Sequence, residues 1–368
     1  METKHDFLGY KLRMVRNFFG YTLDEIGDRV AATRQYIQQL ESNAKVPNED
    51  MVLALADALK VDREFFFITE RVLTTEDQCH FRSPRTTPAS NKNQAISQAN
   101  MLDSIVNELD SVLDFPQINL PSRTPKNLVD IESIAEEARE FWKLGSTAPI
   151  TNMIRVVENA GVVVAHFKEV SEKVDAFSMS GRRPIILRNP NKESACRLRF
   201  DVAHECGHLI MHQGIITGDK ETEDQANRFA SAFLLPRGAF IKEYPRKSFF
   251  DWAAIYNIKL RWKVSVSAII RRAYDLSLID AAAYRRANIH LSKNGQMKNE
   301  RFDDQIPLEE PELIYNALNA IQNNDPFLFD QICKNLRVRQ EILERIFDRK
   351  LSIPRVEDYG DNVINLRR

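Results

Sequence analysis

Long apolar runs are missing from this 368-residue chain, and none approaches the roughly 18 residues needed to cross a bilayer. The opening residues, Met1 to Asp6, hold no apolar signal segment. Nothing in the sequence directs export, so a cytoplasmic protein without membrane partners is expected. Cysteine is scarce: Cys79, Cys196, Cys206 and Cys333 are widely spaced and form no CxxC pair. That spacing fits a reduced compartment better than a disulfide framework. Net charge is nearly absent, because 51 Lys and Arg face 52 Asp and Glu. A chain coated in nucleic acid is thereby disfavoured, while a small local binding face is not. No internal repeat is found. What remains, 43% hydrophobic and 28% charged residues, rules out global disorder and supplies at least one sizeable core. The length suits two or three domains.

Residues 1–70 read as a compact all-α unit. Leu8, Leu12, Val15 and Phe19 recur at helical spacing, followed by Leu23, Ile26 and Val30, by Tyr36, Ile37 and Leu40, and by Met51, Leu53, Leu55, Ala56 and Leu59. Thr22 with Glu25 three residues later marks a capping-box start, and Pro47 breaks the chain before the fourth helix. Residues 71–126 read as a linker with a helical segment. Its polar part runs over 74–100, its helical part carries Met101, Ile105, Leu109 and Val112, and Pro116, Pro121 and Pro125 follow. Over 127–302 the pattern mixes helices (131–144, 151–159, 194–212) with β-branched runs (162–167, 175–179, 184–187), an α+β arrangement with a small sheet. Residues 303–368 turn helical again behind a Pro-punctuated acidic stretch. The amphipathic set Phe327, Phe329, Ile332, Leu336, Ile342, Ile346 and Phe347 serves packing or dimerisation, and 363–368 form a loose tail.

The chemistry-bearing string is His204-Glu205-Cys206-Gly207-His208, an HExxH on a predicted helix. Residues four apart share a helix face, so two imidazoles can meet one tetrahedral Zn²⁺, and Glu205 falls beside them as a general base for water. Leu198, Val202, Cys206 and Leu209 form an apolar stripe away from the histidines, so one side of the helix packs and the other lines a cleft. Cys206 is therefore core. A third ligand is expected downstream. Glu223 lines up with the small inward residues Ala226 and Ala230, and a carboxylate on that face is costly without a partner. His212, Asp219, Glu221 and Asp224 compete with it. Thr222 and Gln225 read as the capping box of that helix.

The run from Arg199 to His208, then Glu223-x-x-Ala226-Asn227-x-Phe229-Ala230 and Leu234-Leu235-Pro236, resembles the ImmA/IrrE metallopeptidase family. The resemblance covers roughly residues 128–300. It implies a gluzincin-like zincin domain with His204, His208 and Glu223 as metal ligands and Glu205 as general base. It also implies one Zn²⁺ per chain, with Mn²⁺ as the alternative, and cleavage of a cognate repressor or regulator protein in response to a signal such as stress. The strand around 185–187 is expected to offer an edge to an extended substrate segment. Against that stands a non-proteolytic regulator or antitoxin-like module whose metal fold is a sensor or scaffold. His166, Trp252 and Trp262 read as a surface histidine and two core aromatics.

A second motif lies in the all-α head. Residues 22–27 form a first helix, 30–32 a turn, and 33–41 a recognition helix that looks like the lambda-repressor-like (XRE) helix-turn-helix family, over about residues 8–68. Asn43 stands where that family more often has Gly, and Asn tolerates the left-handed conformation. By docking logic Arg34, Gln35 and Gln38 face bases in the major groove of a double-stranded operator. Thr33 caps the helix and meets phosphate, and Tyr36 packs on the turn or touches a thymine methyl. Lys11, Arg13, Arg16, Arg29, Arg34 and Lys45 are the cations available for phosphate, few enough that a homodimer is expected. A protein-contact role for this head is the rival reading. The expected architecture is multi-domain: an all-α helix-turn-helix head, an α+β zincin-like domain and a helical C-terminal region.

Overall fold

Four short helices open the chain, and their ends follow from local side-chain chemistry. They are α1 (Gly9–Phe19), α2 (Leu23–Arg29), α3 (Arg34–Glu41) and α4 (Glu49–Ala58). Thr22 accepts from the Glu25 amide at 3.1 Å while the Glu25 carboxylate accepts from the Thr22 amide at 2.7 Å, a complete capping box. Thr33 and Asn48 cap α3 and α4 in the same way. Asn43 takes the left-handed conformation (φ 56°), and its Oδ1 accepts from the Gly9 amide at 2.7 Å. The Asn thus adds a tie that a Gly there would lack. Gly9 is forced by contact, since a Cβ would lie 2.2 Å from the Leu40 carbonyl oxygen. Leu12, Val15, Phe18, Ile26, Ile37, Leu40 and Leu55 fill the core between the helices.

The computed structural model describes residues 6–68, 79–82, 88–166, 176–189, 194–215, 217–246 and 250–347, which fall into two compact units. The first unit takes in more than the head. Helix α5 (Ala89–Val112) packs against α1 and starts twelve residues before the expected Met101. Its early turns bury Ala95, Ser97, Gln98, Ala99 and Asn100, small and polar residues with no apolar periodicity to read. The remainder of the expected polar linker, 74–78 and 83–87, lies outside the described residues.

The second unit holds a four-stranded sheet and eight helices among the described residues. The strands are β1 (Cys79–Arg82), β2 (Val163–His166), β3 (Ala176–Ser180) and β4 (Pro184–Arg188). The helices are α6 (Asp130–Phe141), α7 (Met153–Asn159), α8 (Ala195–Met211), α9 (Lys220–Leu234), α10 (Arg237–Glu243), α11 (Trp252–Trp262), α12 (Val266–Asp275) and α13 (Ala281–Lys293). The sheet order is β1-β3-β4-β2, with β2 parallel to β4 and the other pairs antiparallel. This corrects the expected substrate edge: β4 is paired on both sides and has no free edge. Its five residues are all buried, the pattern of an interior strand.

Helix α8 packs against β3 and β4 and against α9. The unit extends to residue 312, because the acidic stretch is a strap rather than a lead-in. Glu309 accepts from the Met153 amide at 2.7 Å, at the start of α7, and pairs with Arg199 of α8. Lys259 is fully buried between Glu300 at 2.9 Å and Asp303 at 2.7 Å. Trp262 is core and donates to Glu243, while Trp252 is half-buried and stacks on His290.

The chain then returns to the first unit with α14 (Leu313–Asn324), α15 (Pro326–Leu336) and α16 (Gln340–Phe347). The Asp62 amide donates to the Arg337 carbonyl at 2.9 Å, and the Arg339 amide donates to the Lys60 carbonyl at 3.0 Å. The C-terminal amphipathic face therefore packs within its own chain, burying Phe329, Ile332, Ile342 and Phe347. The expected tail at 363–368 lies outside the described residues. No described helix is long and apolar enough to cross a membrane.

Candidate metal centre

Helix α8 carries His204 and His208 one turn apart, and α9 brings Glu223 to them from its first turn. Close approach of the two helices makes this meeting possible. A Cβ on Gly207 would lie 2.9 Å from the Phe229 ring, so the residue between the motif's glutamate and its second histidine has to be small. His204 Nε2 lies 3.1 Å from His208 Nε2, 3.4 Å from Glu223 Oε2, and His208 Nε2 lies 3.3 Å from Glu223 Oε1. Ligands 2.0–2.1 Å from a tetrahedral Zn²⁺ are separated from one another by about 3.3 Å. The three donors are therefore spaced as the corners of one face of such a polyhedron.

The contacts behind the imidazoles match one consistent set of tautomers. His204 Nδ1 is 3.0 Å from Asn227 Oδ1, an acceptor, so Nδ1 carries the proton and Nε2 a lone pair. His208 Nδ1 is 2.8 Å from His212 Nδ1, and His212 Nε2 is 2.7 Å from Gln225 Oε1. The Gln225 amide is oriented by its nitrogen, which donates to Glu221 at 3.3 Å. Gln225 thus accepts from His212 Nε2–H, His212 Nδ1 accepts from His208 Nδ1–H, and His208 turns the lone pair of Nε2 toward His204 and Glu223. Burial pushes His212 below the usual imidazole range, against the opposing Gln225 bond, which keeps it neutral for this role. Two imidazole lone pairs and a carboxylate converge in a buried place, an arrangement that suits a cation.

His204, His208 and Glu223 form the one His/Cys/Asp/Glu group among the described residues with metal-binding spacing. The rival third ligands each have other work. Asp219 is the N-cap of α9, accepting from the Thr222 amide at 2.9 Å, which corrects the expected Thr222–Gln225 capping box. Glu221 is exposed and holds Gln225, Asp224 is exposed, and His212 supports His208. Cys206 is wholly buried, and burial raises its thiol.

Residues 157–274 match the family model of the IrrE N-terminal-like domain, Peptidase_M78. No curated protein matches the chain. The matched stretch of the IrrE N-terminal-like domain runs from α7 through α12 and contains the whole His-His-Glu group. The family is metal-dependent, in keeping with the donor set.

Glu205 is fully buried, and its Oε2 accepts from Ser178 Oγ on β3 at 2.6 Å. The sequence pattern gave Gln225 only a capping role, and Ser178 and Asn227 no role at the site, since single polar residues facing a core leave no periodic trace. His212 left one: it continues the 204, 208 spacing by another four residues. His166 stands at the end of β2, accepting from Arg188 at 3.0 Å.

In the head, Thr33, Arg34, Gln35 and Gln38 are exposed on α3 while Ile37 and Leu40 are buried. Tyr36 is half-buried, with Lys45 Nζ 5.6 Å from its ring. Arg34 pairs with Asp24 of α2 at 3.1 Å. Of the expected phosphate cations, Lys11 is buried over the Phe65 ring, Arg16 is bonded to the buried Glu41, and the exposed Arg13 also pairs with Glu41 at 3.4 Å.

Proposed function

We propose that the chain is a regulator in which a metal-dependent peptidase site acts on a cognate repressor or regulator protein and the helical head binds an operator. The observation that carries the first half is the convergence of His204 Nε2, His208 Nε2 and the Glu223 carboxylate with both imidazole tautomers fixed toward one point. A divalent ion held there, Zn²⁺ by preference and Mn²⁺ as the alternative, would polarise a peptide carbonyl and lower the pKa of water. Glu205 is the general base: anchored at Oε2 by Ser178, it takes the proton of the attacking water and returns it to the leaving nitrogen. Ser178 positions that carboxylate, and Asn227 and His212 position the imidazoles. A substrate strand adding to this sheet meets β1 or β2, the outer strands, and not β4.

Glu205→Gln is expected to keep the fold, the metal and DNA binding and to abolish cleavage of a regulator encoded nearby. The test is co-expression of either form with neighbouring gene products and sizing of the fragments. Identical fragments from both forms would remove Glu205 from the mechanism. No fragments from either, with and without stress, would favour the sensor or scaffold reading.

The operator reading is supported by the exposed row Thr33, Arg34, Gln35 and Gln38 over a buried Ile37–Leu40 seam. Arg34 has to leave Asp24 to reach a base. An exposed pair of this kind is worth about 0–1 kcal/mol, less than the roughly 1–3 kcal/mol of a bidentate base contact. With only Arg13, Arg29, Arg34 and Lys45 of the expected phosphate cations exposed, binding as a homodimer follows, since it doubles the phosphate contacts. Arg34→Ala should weaken binding to the upstream region of its own gene more than to random DNA. No binding by the unaltered protein would favour the protein-contact role.

A further inference from the structure

A second polar feature of the IrrE N-terminal-like region stands apart from the metal donors. A cavity of about 320 Å³ opens between α8, α9, α12 and α13. Two donors on successive turns of α9 line it without partners. Ser231 is 6% exposed, and its hydroxyl makes no hydrogen bond, not even the common one to the carbonyl a turn earlier. Arg228 lies three residues before it. Its Nε is buried without a hydrogen bond, and among the described residues its guanidinium pairs with no carboxylate. An unmet buried hydroxyl or guanidinium N–H is costly, and the Ser231 hydroxyl and the Nε–H of half-buried Arg228 on one wall point to an acceptor that belongs between them.

The other charges define that acceptor. Arg271 is already matched by Asp275 through two bonds of 3.0 and 3.1 Å. Asp224 lines the rim and is exposed, so Arg228 is the charge left for a guest. The remaining walls include the rings of Phe200 and Tyr284. A dry cavity of about 150 Å³ holds benzene, so this one has room for a ring and a headgroup.

We propose that this cavity is a binding site for a small aromatic carboxylate, with Arg228 and Ser231 holding the carboxylate and the two aromatic walls enclosing the ring. Asn227 lines the same cavity while accepting from His204 Nδ1, so the guest and the metal share a residue. That linkage, unlike the site itself, rests on the metal reading. Linkage is reciprocal: metal loading shifts the affinity for the carboxylate by the factor with which the carboxylate shifts metal affinity.

The test titrates benzoate into the full-length protein by calorimetry and thermal shift, with benzamide as the neutral isostere and inorganic phosphate as the bare oxyanion. Benzoate is expected to bind and raise the melting temperature, and benzamide to do neither. Arg228→Gln should lower benzoate affinity at least about tenfold. Ser231→Ala should weaken it too, while melting no earlier than the unaltered protein without ligand, because it removes an unmet buried hydroxyl. Equal effects of benzoate and benzamide, unchanged affinity in Arg228→Gln, binding of phosphate alone, or no binding at about 20 mM benzoate would each overturn the proposal. Equal benzoate affinity in metal-loaded and chelator-treated protein would remove the linkage to His204.

Discussion

Replacing His212 with Ala tests whether the metal site is built from behind. His212 is 1% exposed and makes two hydrogen bonds, to His208 Nδ1 at 2.8 Å and to Gln225 Oε1 at 2.7 Å. The substitution leaves a donor on His208 and an acceptor on Gln225 buried without partners. Each orphaned group costs about 1–3 kcal/mol, so about 2–6 kcal/mol is lost unless water enters the space. His208 also loses the bond that fixes its tautomer. Supporting residues of this kind change metal affinity by about 10–100-fold. Zinc competition titration should show that loss, and thermal denaturation of chelator-treated protein should show the stability loss separately. Gln225→Leu, which removes the partner of His212 Nε2 and a 3.3 Å bond to the exposed Glu221, should move both measurements in the same direction by less. If metal affinity in His212→Ala stays within about twofold while stability falls, His212 is packing and the tautomer argument fails.

Gly207→Ala gains up to about 1 kcal/mol of helix propensity but places a Cβ 2.9 Å from the Phe229 ring, an overpacking that costs about 1–3 kcal/mol. The expected result is a net loss in melting temperature together with weaker metal binding, because α9 carries Glu223; a stabilised variant with unchanged metal affinity would contradict the close α8–α9 contact. Burial lowers the Lys259 ammonium, but its bonds to Asp303 and Glu300 prevail and raise it above the ordinary lysine value. Its contribution to stability is therefore complete below the unfolded-state pKa of about 10.4 and disappears as pH rises through the higher folded value. Denaturation midpoints followed above about pH 10 should fall more steeply in the unaltered protein than in Lys259→Met.

Features carried by local chemistry were legible before the structure. The caps of α2 and α3, the left-handed Asn43, the strands β2 to β4 and the HExxH spacing each depend on a few neighbouring residues. What was missed depends on distant partners. Thr222 looked like a cap until Asp219 was seen to hold its amide, and Gln225 is instead occupied with His212. Helix α5 buries Ser97, Gln98 and Asn100, which no apolar count would place inside. The return of α14 to α16 to the first unit rests on pairings such as Asp62 with Arg337, about three quarters of the chain apart. His204 and His208 were nameable from the HExxH spacing, and Glu223 stood among four competitors until the family resemblance picked it out, whereas Ser178, Asn227 and Gln225 are single polar side chains whose meaning lies in what they face.

The most direct test of the metal centre is the metal content of purified full-length protein compared with that of Glu223→Ala and His208→Ala. About one equivalent of divalent metal per chain in the unaltered protein, with most of it lost in both variants while the helical content stays native, is the predicted result. Metal retained at the unaltered level in either variant, or none bound by the unaltered protein when Zn²⁺ is supplied, would contradict it.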